Sequence, residues 1–152
     1  MTQDQKHILL TTDFSEESFE AFAPVADLAK AMNAKVTLLY VLPTMDHHPT
    51  GSPFVSPVPM PSDAEQMERA EKDLEKLRGR FDPGVDLHVA CKSGEEIPEV
   101  ILDYVKQNAV DVIALSTHAR KGLNRLIMGS VAEEVMRYSP VPLFVIPRRG
   151  QG

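Results

Sequence analysis

Several residues between positions 111 and 131 have types and spacing suited to holding a phosphate group. Gly129 and Ser130 stand at a predicted helix start, where backbone N–H groups, a hydroxyl and the helix dipole can bind an anion. His118 and Arg120 belong to the preceding polar loop and can neutralise phosphate charge. The same residues have a purely structural interpretation, because a Ser-x-x-Glu sequence caps many helices and loop cations are often simply solvated.

A second pair of polar residues, Thr12 and Asp13, follows the first predicted strand. The Asp13 carboxylate can accept hydrogen bonds from hydroxyl or amino groups of a ligand. A turn aspartate that bonds nearby backbone N–H groups explains the same residue without any ligand. Both interpretations stay open.

The sequence contains none of the common signatures of nucleotide chemistry. A G-x4-G-K-[ST] phosphate loop is absent, no G-x-G-x-x-G follows the first predicted strand, and the HIGH and SGGxDS signatures are missing. Asp46, His47 and His48 lie in a proline-rich segment without defined ligand geometry, so no metal site is predicted. Cys91 is predicted to be a packed thiol rather than a nucleophile. We therefore predict no catalytic residue.

These residues must be positioned by secondary-structure elements, which an alternation of apolar runs and amphipathic segments predicts. The apolar runs predict strands at 7–10, 36–42, 85–91, 112–115 and 141–146. The amphipathic segments predict helices at 15–32, 62–78, 95–108 and 130–138. Such alternation is typical of parallel strands joined by right-handed helical crossovers. We predict a doubly wound α/β domain with a five-stranded parallel sheet and helices on both faces.

Single residues inside the predicted helices allow more specific predictions. Ser62 and Ser130 each stand three residues before a glutamate, which predicts a capping box at both positions. Pro24 removes one backbone hydrogen bond and is expected to bend the first helix. Asn33 fits the left-handed residue that commonly follows a helix.

Length, charge and cysteine usage narrow the class of protein. The 152 residues suit one domain over 1–152, and the single cysteine fits a reducing compartment. A net charge of −6 argues against general binding to nucleic acids or anionic membranes. No signal peptide or membrane-spanning run is visible, so we expect a cytoplasmic protein without membrane insertion. Residues 43–61 contain six prolines and predict an extended loop.

The segment 116–130 resembles the nucleotide loop of the universal stress protein family, in its nucleotide-binding branch. That branch carries G-x2-G-x9-G-[ST] between its fourth strand and last helix. Gly129 and Ser130 match the end of this motif, whereas Ser116 and Ala119 replace its first two glycines. The resemblance covers nearly the whole chain and implies the sheet order 3-2-1-4-5. The nucleotide-binding residues that it implies are Thr12, Asp13, Val41, Ser116, Thr117, His118, Ala119, Arg120, Gly129, Ser130 and Val131.

Three functions remain open on this basis. The first is a regulatory protein that binds ATP, or AMP or ADP, with or without Mg²⁺. The second is an interaction protein of the same family that has lost the nucleotide, and the third is a slow ATPase built around Asp13. The resemblance also implies a homodimer paired through residues 141–147, and a regulatory output implies an unidentified protein partner. Since glycine adopts positive φ more easily than alanine, we predict that Ala119→Gly binds ATP more tightly than the parent chain.

Overall fold

The computed structural model describes residues 4–44, 61–117 and 129–147. All pairings in its sheet are parallel, and the strand order is β3-β2-β1-β4-β5. The predicted fold class and strand order are therefore confirmed. The strands are β1 (Lys6–Thr11), β2 (Ala34–Pro43), β3 (Leu87–Gly94), β4 (Val112–Thr117) and β5 (Leu143–Pro147).

Helices cover both faces of this sheet. They are α1 (Glu16–Phe19), α2 (Phe22–Met32), α3 (Asp63–Leu77), α4 (Ile97–Gln107) and α5 (Ser130–Tyr138), and a 3₁₀ turn at Arg78–Arg80 follows α3. Ile8 and Leu10 point into a core cluster shared with α2 and α3, whereas Leu9 points into a cluster shared with α4 and α5. The alternation of β1 between two apolar layers explains why its centre is fully buried.

The first predicted helix is two helices, so the expectation of one helix bent at Pro24 is wrong. α1 ends at Phe19 and α2 begins at Phe22, which makes Pro24 the third helical residue. An N–H at that position has no intrahelical acceptor, so proline costs no hydrogen bond there. A continuous helix would have placed the proline ring against the carbonyl of Glu20. Asn33 has φ 52° and ψ 52° after α2, which confirms its left-handed conformation.

The two predicted capping boxes have different outcomes. The Ser62 hydroxyl accepts from the Glu65 backbone N–H and the Glu65 side chain accepts from the Ser62 N–H, which confirms the first box. The second is wrong, because the N-cap of α5 is Gly129 and Ser130 is already helical. The Glu133 backbone N–H donates to the Gly129 carbonyl over 3.0 Å. The Ser130 hydroxyl is thus placed one residue further along the helix than predicted.

The proline-rich segment falls mostly outside the described residues. Pro43 is the last residue of β2 rather than the first residue of a loop, because it pairs in register with Gly94 of β3. Residues 45–60, including Asp46, His47 and His48, lie outside the described ranges. Within the described ranges, no three His, Cys, Asp or Glu side chains converge in a way that could hold a metal ion. No helix in those ranges is long and apolar enough to cross a membrane.

Candidate nucleotide site

A cavity of about 420 Å³ opens at the carboxyl ends of β1 and β4. In this sheet β2 lies on one side of β1 and β4 on the other. The chain therefore builds the sheet outward from β1 first in one direction, through β2 and β3, and then in the other, through β4 and β5. Open parallel sheets bind ligands beyond the strand ends at this reversal. The cavity volume also suits a small-molecule site. Its lining consists of Thr11, Thr12, Asp13, Leu39, Tyr40, Val41, Pro43, Ile97, Ile101, Leu115, Ser116, Gly129, Ser130, Val131 and Ala132.

The β1–α1 turn presents Asp13 at one side of the cavity. The Asp13 carboxylate accepts from both the backbone N–H and the hydroxyl of Ser15. Phe14, between them, has φ 64°, a left-handed conformation that costs a non-glycine residue about 1–2 kcal/mol. Its backbone N–H donates to the Thr12 hydroxyl over 3.1 Å, which offsets part of that cost. Strain held this firmly beside a cavity is a common feature of ligand sites.

An aromatic pair supports the same turn from β2. The rings of Phe14 and Tyr40 are tilted by 51°, with centroids 4.5 Å apart. Burial raises the pKa of Tyr40, and the charges of Cys91 and Asp13 raise it further. The phenol therefore stays protonated at neutral pH and can donate a hydrogen bond where Tyr40 borders the cavity.

Apolar side chains form another part of the lining. Val41 is 6% exposed at the end of β2, and Ile101 is 2% exposed on α4. Ile97 lies one helical turn before Ile101 and lines the cavity beside it. A slot between β-branched side chains of this kind suits a flat, weakly polar ring such as a nucleobase.

The N-terminus of α5 closes the remaining side with backbone donors. Gly129 has extended angles, φ −63° and ψ 160°, and the first helical residues Ser130, Val131 and Ala132 line the cavity. The first N–H groups of a helix have no intrahelical acceptor, and the helix dipole favours a negative group near them. Because Ser130 is not the N-cap, its hydroxyl is not committed to capping the helix. This end of the cavity can therefore bind an anion.

Two hydroxyls at the end of β4 are buried without a hydrogen-bond partner among the described residues. They are Ser116 Oγ and Thr117 Oγ1. Ser116 borders the cavity, whereas Thr117 is 1% exposed and is not part of the lining. Because buried hydroxyls are normally hydrogen-bonded, these two groups at the end of β4 can form further polar contacts.

The sequence profile of the universal stress protein family matches residues 5–147. The chain belongs to this family. A universal stress protein of Methanocaldococcus jannaschii is 28% identical over 153 residues, which cover 94% of this chain and 82% of that protein. The solved universal stress protein of Archaeoglobus fulgidus in complex with dAMP has a TM-score of 0.60 at 17% identity, over 93% of this chain and 97% of that chain.

Another solved universal stress protein, crystallised in complex with cAMP, has the same fold. Its TM-score is 0.64 at 16% identity, over 95% of this chain and 98% of that chain. At such identities the agreement concerns the fold alone. It covers the strands and helices that surround the cavity.

The structure brings seven of the predicted site residues together around the cavity, from four different parts of the chain. They are Thr12, Asp13, Val41, Ser116, Gly129, Ser130 and Val131. Thr117 is buried behind the cavity. His118, Ala119 and Arg120 lie outside the described residues.

Sequence reasoning missed the contribution of α4 and of the residues beside Val41. Ile97 and Ile101 recur at helical spacing, which predicts a buried helix face but not that the face borders a cavity. Tyr40 alternates with Val41 along β2, and period-two alternation places neighbours on opposite faces. Tyr40 nevertheless lines the cavity, where its ring packs against Phe14 of the β1–α1 turn. A tertiary contact of this kind leaves no local signal in the sequence.

A second, larger cleft of about 660 Å³ lies between α3 and β3 and has different chemistry. Glu68, Glu71 and Glu75 border it together with Lys72 and Lys76, so its rim carries charges of both signs. Cys91 also borders it, with Sγ 3.3 Å from Met67 Sδ. Burial, with a smaller effect of Glu71, raises the pKa of the Cys91 thiol, which keeps it protonated. Unlike the cavity at the ends of β1 and β4, the described lining of this cleft includes no helix N-terminus.

Proposed function

We propose that this universal stress protein binds ATP or a related adenine nucleotide in the cavity at the carboxyl ends of β1 and β4. The observation that carries the proposal is the joining, in one cavity, of an apolar slot and the N-terminus of α5. A nucleotide has the matching polarity, with a flat base at one end and phosphate at the other. The complexes of two family members with dAMP and cAMP support the same ligand class.

The placement of the ligand follows from the chemistry of the walls. The base fits against Val41 and Ile101, and the phosphates fit against the backbone N–H groups at Ser130 and Val131. Asp13 lines the same cavity, and its carboxylate can accept hydrogen bonds from ribose hydroxyls. Since the described residues offer no cluster of metal ligands, Mg²⁺ would arrive bound to the phosphates.

The output that we propose is a change of shape or of protein partner rather than a chemical product. The described part of the cavity holds a carboxylate already engaged by Ser15, hydroxyls and apolar groups. A nucleotide bound there would tie β1, β4 and α5 together at their ends. Ligand-bound and free chains would then differ in the surface around these ends, which a partner can read.

Calorimetric titration with ATP and with AMP, at one magnesium concentration, tests this proposal. We expect dissociation constants on the order of 1–100 μM. Absence of binding for both nucleotides would overturn it and favour an interaction protein without nucleotide. Release of ADP and phosphate from ATP by the pure chain, lost in Asp13→Ala, would instead favour the slow ATPase.

We further propose a homodimer that pairs two copies of β5. β5 is an edge strand, and an unpaired edge invites a second strand. Large apolar side chains are exposed on β5 and on the adjoining α5, namely Val145 at 39%, Met136 at 49% and Tyr138 at 61%. Exposure of three large apolar groups in neighbouring elements supports an interface there.

Phe144 and Val145 provide a matched pair of variants for the dimer. Val145→Lys should convert the dimer to monomer without loss of fold, because its side chain is exposed. Phe144 packs against the core cluster of α2 and α3, so Phe144→Lys should lower the free energy of unfolding instead. Sedimentation at tens of micromolar and denaturant titration distinguish the two effects. A monomeric parent chain under these conditions would contradict the proposal.

A further inference from the structure

Ser18 is a buried polar residue that no part of the proposed binding role uses directly. It lies in α1, is 2% exposed, and is not part of the cavity lining. A buried hydroxyl in so short a helix calls for partners. Ser18 has them in Thr12 and Ser15, the two residues that flank Asp13 and Phe14.

The direction of each hydrogen bond in this group follows from the count of hydroxyl protons. Ser18 Oγ donates its only proton to the Ser15 carbonyl oxygen over 2.7 Å, because a carbonyl only accepts. The 3.0 Å contact between Thr12 Oγ1 and Ser18 Oγ is then donated by Thr12. Thr12 Oγ1 in turn accepts the backbone N–H of Phe14, the residue with positive φ. Ser18 Oγ thus links Thr12 to the Ser15 carbonyl in one continuous chain of hydrogen bonds.

A second set of bonds connects Ser18 with Asp13 through Ser15. The Ser18 backbone N–H donates to Ser15 Oγ over 3.2 Å, and Ser15 Oγ donates to Asp13 Oδ1. The Ser15 backbone N–H donates to the same carboxylate oxygen over 3.0 Å. Ser15 is therefore held on both its carbonyl and its hydroxyl by Ser18, and it holds Asp13 by two bonds.

We infer that Ser18 is a positioning residue for the nucleotide, acting through Ser15 on the Asp13 carboxylate. The inference rests on the proposed function, in which Asp13 contacts the ligand. Without the Ser18 hydroxyl, the Thr12 hydroxyl loses its acceptor, and the Ser15 carbonyl keeps only its second partner, the Ser18 backbone N–H at 3.0 Å. The left-handed turn at Phe14 then loses support. The Asp13 carboxylate then samples orientations that do not face the ligand, and part of the binding free energy is spent on ordering it.

The test compares ATP affinity in the parent chain, in Ser18→Ala and in a matched control. Loss of one buried hydroxyl partnership at Ser18 should weaken ATP binding about threefold to tenfold. Thr37→Val is the control, since it also removes one buried hydrogen-bonded hydroxyl but at the opposite end of the sheet. We expect Thr37→Val to keep the ATP affinity of the parent. Equal affinity of Ser18→Ala and the parent would overturn the inference.

A double-mutant cycle with Asp13→Ala separates positioning from general loosening of the fold. If Ser18 acts through Asp13, then Ser18→Ala should lower the ATP affinity of the Asp13→Ala chain by less than twofold. An undiminished effect in that background would overturn the inference. Failure of the parent chain to bind ATP or AMP would overturn the proposed function itself. Equal binding by the parent chain and Ser18→Ala would overturn only the role of Ser18.

Hydrogen exchange gives a readout that needs no ligand. The backbone N–H groups of Phe14 and Ser15 donate to side chains of this group, so their exchange should speed up about threefold to tenfold in Ser18→Ala. Thr37→Val should leave both rates unchanged. Unchanged rates in Ser18→Ala would show that Ser18 does not hold the turn.

Discussion

The polar residues at the two ends of β1 have different surroundings. At the amino end, His7 is 5% exposed and is hydrogen-bonded on every side. Its Nδ1 donates to the Asn108 carbonyl over 3.0 Å, and its Nε2 therefore accepts from the Thr37 hydroxyl over 2.7 Å. Its backbone N–H donates to the Asp111 carboxylate over 2.9 Å.

At the carboxyl end the polar groups surround open space instead. Thr12 and Asp13 border the cavity together with Ser116, whose hydroxyl has no partner among the described residues. The N-terminus of α5 adds backbone donors to the same space. The comparison teaches that the amino end of β1 holds a buried polar cluster with its hydrogen bonds completed by the protein, whereas the carboxyl end places its polar groups beside a cavity that a ligand can enter.

The largest expected effect comes from placing a negative charge at the carboxyl end. Ser130→Asp should weaken ATP binding about 100-fold, because its carboxylate would repel the phosphates. Helix stability should hold or rise, since an acidic residue suits the first turn. Ser62→Asp makes the same change at the start of α3, away from the cavity, and should bind ATP like the parent. Calorimetry gives the affinities, and equal binding by Ser130→Asp would place the phosphates elsewhere.

At the amino end, the expected effect is on stability alone. His7→Leu should lower the free energy of unfolding by about 1–3 kcal/mol, because it leaves the Asn108 carbonyl and the Thr37 hydroxyl buried without their partner. ATP affinity should stay within about twofold of the parent. Denaturant titration and calorimetry on the same preparation measure both quantities. A large loss of ATP affinity in His7→Leu, at an unchanged free energy of unfolding, would show that the amino end of β1 also contributes to ligand binding.

A smaller effect concerns pH. Burial is the main cause that lowers the pKa of His7 from 6.5, and Lys35 and His88 act in the same direction. The Asn108 carbonyl and Asp111 oppose this shift without reversing it. The unfolded chain therefore takes up this proton first as pH falls, so the stabilisation present above pH 6.5 is lost between 6.5 and the lower folded pKa. The slope is at most about 1.4 kcal/mol per pH unit.

Comparison with His7→Leu isolates this contribution, because leucine does not titrate. The difference in unfolding free energy between the parent and the variant should narrow as the pH is lowered from 8 to 5. Both chains share all other titrating groups, so their common pH dependence cancels. A constant difference over this range would mean that His7 binds its proton equally well in both states.

The sequence predicted the fold more completely than the site. Apolar runs and helical spacing indicated all five strands, and Ser62 indicated the start of α3. Element ends were less accurate: the break between α1 and α2 precedes Pro24, and α5 is capped at Gly129 rather than at Ser130. Backbone pairing sets strand ends, as for Pro43 opposite Gly94.

The residues that line the cavity also differ in how far the sequence predicted them. Asp13 and Ser130 carry polar groups at element ends, where local sequence predicts exposure to a ligand. Ile101 and Tyr40 have types that predict core packing, and they border the cavity only through the way that α4 and the β1–α1 turn approach β2. The role of the Ser18 hydroxyl is still harder to predict from the sequence, because the conformation of the β1–α1 turn, and not a sequence motif, determines its partners.

The position of β1 in the middle of the sheet has a consequence for how the chain folds during synthesis. β2 follows β1 directly, but the other side of β1 waits for β4, and His7 bonds to a residue 104 positions later. Contacts so distant in sequence slow folding, and translation delivers them last. Until β4 leaves the ribosome, a nascent β1–β2–β3 sheet exposes the unpaired backbone edge of β1. We expect chains truncated before residue 112 to aggregate through that edge.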